Sequence, residues 1–179
     1  MMQHYIVFLR GINVSGKNIL KMDALKKALH ENNFPNALTY IQSGNIVIPN
    51  SNLPADALKK SIEKLLLDLF SIETIAFIYT SNCIKKTIDL YPFSIEDTKK
   101  NYFVFLENEP QNQLISELSK NDYNEDTFST QGSCIYVHCK NGYGKTKLHN
   151  NFFENKLKIK ATTRNWNTMQ KMLNLVEKC

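Results

Sequence analysis

Two pentapeptides constrain this chain more than anything else in it. Tyr5-Ile6-Val7-Phe8-Leu9 and Tyr102-Phe103-Val104-Phe105-Leu106 align at an offset of 97 residues, identical except for Ile6 and Phe103. Apolar throughout and rich in aromatic and β-branched side chains, each reads as a central strand covered on one or both faces. The segments that follow them match as well. The hairpin glycines Gly44 and Gly132 lie 88 apart, and Ile72 and Ile159, each read as starting a last strand, lie 87 apart. The chain therefore reads as a diverged tandem repeat. The fall from 97 to 88 gives the first half nine extra residues between its first strand and its hairpin, the length of the polar segment Arg10–Asn18.

Periodicity fills in the rest. Met22, Leu25 and Leu29 predict a helix over residues 21–32, with Asp23 in its first turn. Residues 38–43 and 46–48 read as strands joined by Gly44-Asn45 as a two-residue type II′ turn. Pro54 is placed as the first residue of a helix that carries Leu58, Ile62, Leu65 and Leu69, and residues 72–79 as the next strand. Ser81 caps a short helix with Ile84 and Ile88, and residues 94–101 form a crossing. The second half repeats the pattern: a strand over 102–106, a helix over 111–120, strands over 127–131 and 134–139 around Gly132-Ser133, a helix over 146–157, a strand over 160–164 and a final helix over 166–177. The order βαββαβ predicts an α+β fold of two ferredoxin-like lobes in tandem, each followed by an extra helix. The expected boundaries are 1–80 for the first lobe, 81–101 for the linker helix and crossing, and 102–179 for the second lobe with its terminal helix.

At 179 residues the chain is long enough for one large core or two small ones. No stretch is long and dry enough to span a bilayer, so no membrane partner is expected. The start, Met1-Met2-Gln3-His4, lacks the basic and apolar regions of a signal peptide, which predicts a cytoplasmic protein. Cys83, Cys134, Cys139 and Cys179 are scattered without a CxxC spacing and read as reduced thiols. Net charge is +5, unevenly spread. Residues 140–179 hold nine Lys/Arg against two acids, a net of +7, and the remainder holds thirteen against fifteen, a net of −2. An anionic partner is drawn to the basic end first, although lysines on helix faces also serve as plain solvated cover.

Two polar clusters stand out. In a βαββαβ lobe the first two strands run parallel and end at one sheet edge. That edge gathers the Arg10–Asn18 loop and the Gln42-Ser43-Gly44-Asn45 turn, so Arg10, Asn13, Lys17, Gln42, Ser43 and Asn45 form the first candidate site, offering positive charge and amides. The competing account is local turn chemistry, with the asparagines in turn conformations and Gln42 and Ser43 closing the hairpin. The second candidate joins Lys145, in the glycine-rich segment 141–146, to Arg164, Asn165, Trp166 and Asn167 at the end of the last strand, as a phosphate or carboxylate site with a stacking ring. Its competing account has Asn165 capping the last helix and Trp166 packing beneath it.

The chemistry that is missing narrows the reading. Gly144-Lys145-Thr146 lacks the glycine a phosphate-binding P-loop needs five residues earlier, where Cys139 stands. The four histidines show no metal-ligand spacing, and Ser43 lacks the frame of a nucleophile elbow. No catalytic set, metal or cofactor is expected.

Three segments, Phe8-Leu9-Arg10-Gly11-Ile12-Asn13-Val14-Ser15-Gly16-Lys17-Asn18, Thr39-Tyr40-Ile41-Gln42-Ser43-Gly44-Asn45 and Ala161-Thr162-Thr163-Arg164-Asn165-Trp166-Asn167-Thr168, resemble the motifs of the bacterial family DUF1697. The resemblance covers nearly the whole chain. It implies a cytoplasmic bacterial protein of two ferredoxin-like lobes, and no activity. The family usually has Gly-Gly where this chain has Ser15-Gly16, and commonly Ser where Thr146 stands. The leading expectation is a module that binds an anionic, phosphorylated ligand, such as a nucleotide or nucleic acid, by its strand-end loops. The alternatives are an enzyme acting on a small anionic substrate between the lobes, and a homo-oligomeric scaffold.

Overall fold

The computed structural model describes residues 3–179. Among them, two four-stranded antiparallel sheets and six α-helices make a mixed α+β protein. The chain divides into two compact units, one running to Lys86 and including Lys171–Cys179, the other spanning Thr87–Gln170.

In the first unit β1 (Gln3–Leu9) leads to α1 (Met22–Glu31), β2 (Leu38–Tyr40), β3 (Asn45–Ser51), α2 (Ala55–Phe70) and β4 (Ala76–Thr80), and α3 (Ser81–Asp89) follows. The sheet order is β2-β3-β1-β4. Pairing sets Tyr5 against Ile48 and Val7 against Ile46. These residues share a core with Leu25 and Leu29 of α1 and Leu58, Ile62 and Leu65 of α2. Each such fully buried aliphatic side chain contributes about 2 kcal/mol. Ile6, Phe8 and Val47 alternate to the other face and are equally buried. Both faces of β1 are thus covered, which explains an unbroken apolar run where a half-exposed strand would alternate.

The helix ends depart from the sequence-based bounds for local reasons. Pro54 is the extended N-cap of α2, not its first helical residue. At the other end Ser71 is left-handed, and Ser71 N–H and Ile72 N–H donate to the carbonyls of Leu67 and Leu66. This closure uses Ile72 to finish the helix, so β4 starts at Ala76 instead of Ile72.

The second unit repeats the order with β5 (Asn101–Leu106), α4 (Asn112–Ser119), β6 (Thr127–Gln131), β7 (Cys134–His138), α5 (Asn150–Leu157) and β8 (Ala161–Asn165), and α6 (Trp166–Val176) begins at its end. Its sheet order, β6-β7-β5-β8, matches the first. Val104, Leu106, Ile135 and Val137 pack with Leu118, Leu148, Phe153 and Leu157.

The two hairpins differ. Gln131 pairs with Cys134 across Gly132-Ser133, a two-residue turn as expected. In the first unit Tyr40 pairs with Asn45 instead, so Ile41-Gln42-Ser43-Gly44 is a four-residue turn and the two-residue reading is corrected. Ile41 and Gly44 both take left-handed backbone, and buried Asn45 closes the turn by donating to the Tyr40 carbonyl and the Ser43 hydroxyl. A second correction concerns α5, which starts at Asn150 and not at Thr146. Residues 143–145 form a single 3-10 turn, and the Thr146 hydroxyl accepts from Leu148 N–H. The His149 ring then caps α5 by accepting from Phe152 N–H.

Candidate functional site: the strand-end loops

The connection from β1 to α1 occupies residues 10–21, where the matching connection from β5 to α4 needs only 107–111. It leaves the sheet under tight control. Arg10 N–H donates to the Ile75 carbonyl at 3.0 Å, and the Thr74 hydroxyl donates to the Arg10 carbonyl at 2.6 Å. Beyond that the chain forms a miniature ribbon. Asn13 N–H reaches the Asn18 carbonyl at 3.1 Å, and Lys17 N–H reaches the Val14 carbonyl at 2.9 Å. Ser15 and Gly16 turn the corner with φ of 50° and 73°, the pattern of a type I′ turn. Asn13 and Asn18 also sit in left-handed backbone, which short amide side chains tolerate best.

Side-chain amides lock this shape. The Asn13 amide donates to the carbonyls of Leu20 at 2.9 Å and Gln42 at 2.7 Å, and its oxygen accepts from Leu20 N–H at 2.8 Å. Asn18 donates to the Gly11 carbonyl at 3.1 Å. One asparagine therefore ties the loop both to the entrance of α1 and to the β2–β3 turn. Ile12 and Leu20 anchor the loop in the core. Its tip is held outward: Val14 is 55% exposed and Ile19 75%, and Ile41 in the neighbouring turn is 48% exposed. Lys17 and Gln42 are exposed too.

The six residues expected at this edge do come together in the backbone, with unequal roles. Asn13, Ser43 and Asn45 spend their polar atoms on the protein itself. Lys17 and Gln42 face solvent, and Arg10 is half-buried at the base of the loop. Val14, Ile19 and Ile41 were not legible as site residues. The available signal was apolar side chains inside a Gly/Asn segment with no periodic core position to fill.

The second cluster is arranged differently. β7 and β8 both pair antiparallel with β5, so their ends share an edge. Thr163 faces α5: its hydroxyl donates to the Asn150 side chain and it also bonds Tyr143. Tyr143 stacks on Tyr102 at 4.5 Å, in the turn that carries exposed Lys145. Arg164 alternates to the opposite face, paired with Phe103, and is only 6% exposed. Its guanidinium donates to the Thr162 hydroxyl and the Thr163 carbonyl, each at 2.8 Å, and burial pulls its pKa below the ordinary arginine range. Strand alternation thus separates Lys145 from Arg164. Asn165 accepts from Thr168 N–H at 2.8 Å and so caps α6. Half-buried Trp166 packs on Tyr91 and Phe103 at 5.4 and 5.8 Å, and Asn167 is exposed. Burial also raises the Cys139 thiol to about 11.

Taken together, these features define a class: an α+β protein of two like-ordered antiparallel sheets, with a clamped polar loop at one strand end. Among the described residues no cluster of His, Cys, Asp or Glu is arranged to hold a metal ion, and no helix is long and apolar enough to cross a membrane. The chain belongs to the DUF1697 family, "Protein of unknown function", whose sequence pattern matches residues 2–136. That match contains the loop and the first hairpin but not the segment 161–168. No curated protein is significantly similar. Among solved structures, the conserved bacterial protein SP0830 from Streptococcus pneumoniae superposes with a TM-score of 0.77 at 22% identity, over 98% of this chain and 99% of its own. It shows the same fold. An unknown protein from Galdieria sulphuraria aligns over 99% and 93% of the two chains at 12% identity, with a TM-score of 0.27 that carries no argument.

Proposed function

We propose that this protein is a binding module for a phosphorylated ligand of the nucleotide or nucleic-acid class, held at the loop edge of its first unit. The observation that carries the reading is the clamped, outward-held loop over residues 10–21. The second unit makes the same connection without it, and ordering such a loop costs conformational entropy that burial at its exposed tip does not offset. Lys17 supplies the charge, Arg10 reinforces it from the base, and Gln42 supplies an amide. Val14, Ile19 and Ile41 offer an apolar shelf for a base or ring. Lys145 and the basic second half add long-range attraction for an anion. Arg164, Asn165 and Trp166 act as structure in this reading, and no catalytic group is assigned.

The element order and strand order of each unit support a ferredoxin-like assignment, and reading the four cysteines as thiols fits a reducing, cytoplasmic setting. The test is a thermal-shift screen over nucleotides, sugar phosphates and short oligonucleotides. A saturable rise in melting temperature that Lys17→Ala weakens supports the reading, and a flat response across the panel overturns it.

A further inference from the structure

The other end of the same sheet carries a second feature, roughly 20 Å away along β1. A cleft of about 520 Å³ lies between the turn that enters β2 and the segment that leaves β3. One wall is Phe34-Pro35-Asn36-Ala37, closed by Ala37 N–H donating to the Phe34 carbonyl at 3.0 Å. The facing wall is a β-bulge: Gln3 pairs with Ser51 and Tyr5 with Ile48, leaving Pro49 and left-handed Asn50 as the extra residue's worth of chain. A bulge of this kind re-aims side chains away from the ladder. Pro35 and Pro49 fix φ on both sides, so the walls are pre-shaped.

Four asparagines gather in the lining. Asn33, Asn36, Asn50 and Asn52 converge on the cleft with Ser61, and none of these side chains is hydrogen-bonded to another described residue. Asn13, Asn18, Asn32, Asn45 and Asn101 spend their amides internally, whereas exposed asparagines such as Asn82, Asn112 and Asn167 leave theirs to solvent as the cleft residues do. Leu53 supplies exposed apolar surface above the buried Phe34 and Ile48, and the described residues that line the cleft are uncharged, while Lys26, His30 and Lys178 line an adjoining cleft that shares Pro35, Asn36, Ala37, Pro49 and Asn50 with it.

We infer that this cleft binds a neutral, hydroxyl-rich ring of the carbohydrate class. Each amide presents a donor and an acceptor side by side, which suits neighbouring hydroxyls that both donate and accept. The prolines and exposed Leu53 suit the C–H face of a sugar ring. The inference is independent of the loop-edge reading, because the two sites occupy opposite ends of β1.

The test is an amide NMR titration of the full chain with the methyl glycosides of glucose, galactose, mannose and N-acetylglucosamine. The expected result is saturable shifts for at least one glycoside, confined to residues 33–37 and 48–53, with affinity falling about tenfold in Asn36→Ala and Asn52→Ala. Both positions lie outside helices and strands or at their margin, and unchanged spectra elsewhere in the variants verify folding. Absence of saturable shifts with all four glycosides, or shifts that both variants leave intact, overturns the inference. So does inorganic phosphate perturbing these residues more strongly than any glycoside.

Discussion

Replacing Gly44 by alanine tests the packing that sets the loop edge. Gly44 has φ +70°, and a Cβ built there lies 2.8 Å from Leu9 Cβ and 3.1 Å from Ile12 Cγ1. Neither neighbour can yield easily, since Leu9 is held in β1 by its N–H bond to the Gly44 carbonyl at 2.8 Å and Ile12 is buried. Left-handed backbone at a residue with a Cβ costs ~1–2 kcal/mol and overpacking a dense site ~1–3 kcal/mol, so the variant loses about 3 kcal/mol. For a chain of this size that corresponds to a fall of roughly 9 °C in melting temperature. Gly132 is the counterpart in the other hairpin, with φ +55° and nothing within 4 Å of the added Cβ. Gly132→Ala carries only the backbone cost, about 1 kcal/mol. Urea and thermal denaturation of the full-length variants, followed by circular dichroism, measure both. Equal losses, or a smaller loss at Gly44, would refute the claim that Leu9 and Ile12 close on this turn.

Asn13→Ala removes three hydrogen bonds at a left-handed position, and is expected to cost about 2 kcal/mol and to abolish any thermal shift produced by a nucleotide or oligonucleotide; Asn13→Asp, keeping the acceptor alone, falls between. Asn165→Ala loses the cap of α6 and about 1 kcal/mol by denaturation, without altering ligand response at the first unit. Exposed Cys83 and Cys179 react rapidly with a disulfide reagent at mild alkaline pH, whereas buried Cys134 and Cys139 react only on unfolding. The Cys139 thiol titrates near 11 in the folded protein against 9.0 for an unperturbed thiol, so the folded state holds the extra proton in between. Its contribution to stability is complete below pH 9 and declines as pH rises to about 11, and the raised Tyr143 acts with the same sign.

Much of this molecule was legible because its strands and helices carry strong periods. The pentapeptides did become central strands, and the shared strand order bears out a repeat in the elements. The misreadings fall where one short polar residue competes with another. Gly44-Asn45 has the composition of a two-residue turn, yet Asn45 is more stable as the first paired residue of β3, its amide closing the turn from inside. Thr146 resembles a helix start, but its hydroxyl serves Leu148, and histidine, an uncommon cap, begins α5. Arg164 read as a strand-end cation for a ligand. Period two along β8 places it with Thr162 on the face of Phe103, and only the pairing register reveals that burial. The loop was visible as a surplus, of whose nine residues seven lie in the connection over 10–21 and two in the longer α1, but its clamps were not, because Asn13 acts on Leu20 and Gln42 through space.

The central claim is that the loop over residues 10–21 presents charge to a phosphorylated ligand. The most direct measurement is fluorescence anisotropy of a labelled single-stranded oligonucleotide, titrated at several salt concentrations with the wild-type protein and with Lys17→Ala. The account predicts affinity that falls steeply with salt, and a variant that binds more weakly with a salt slope reduced by about 0.7, the loss of one phosphate contact on a single strand. Binding with the same affinity and slope in both proteins, or none in the wild type, would contradict it.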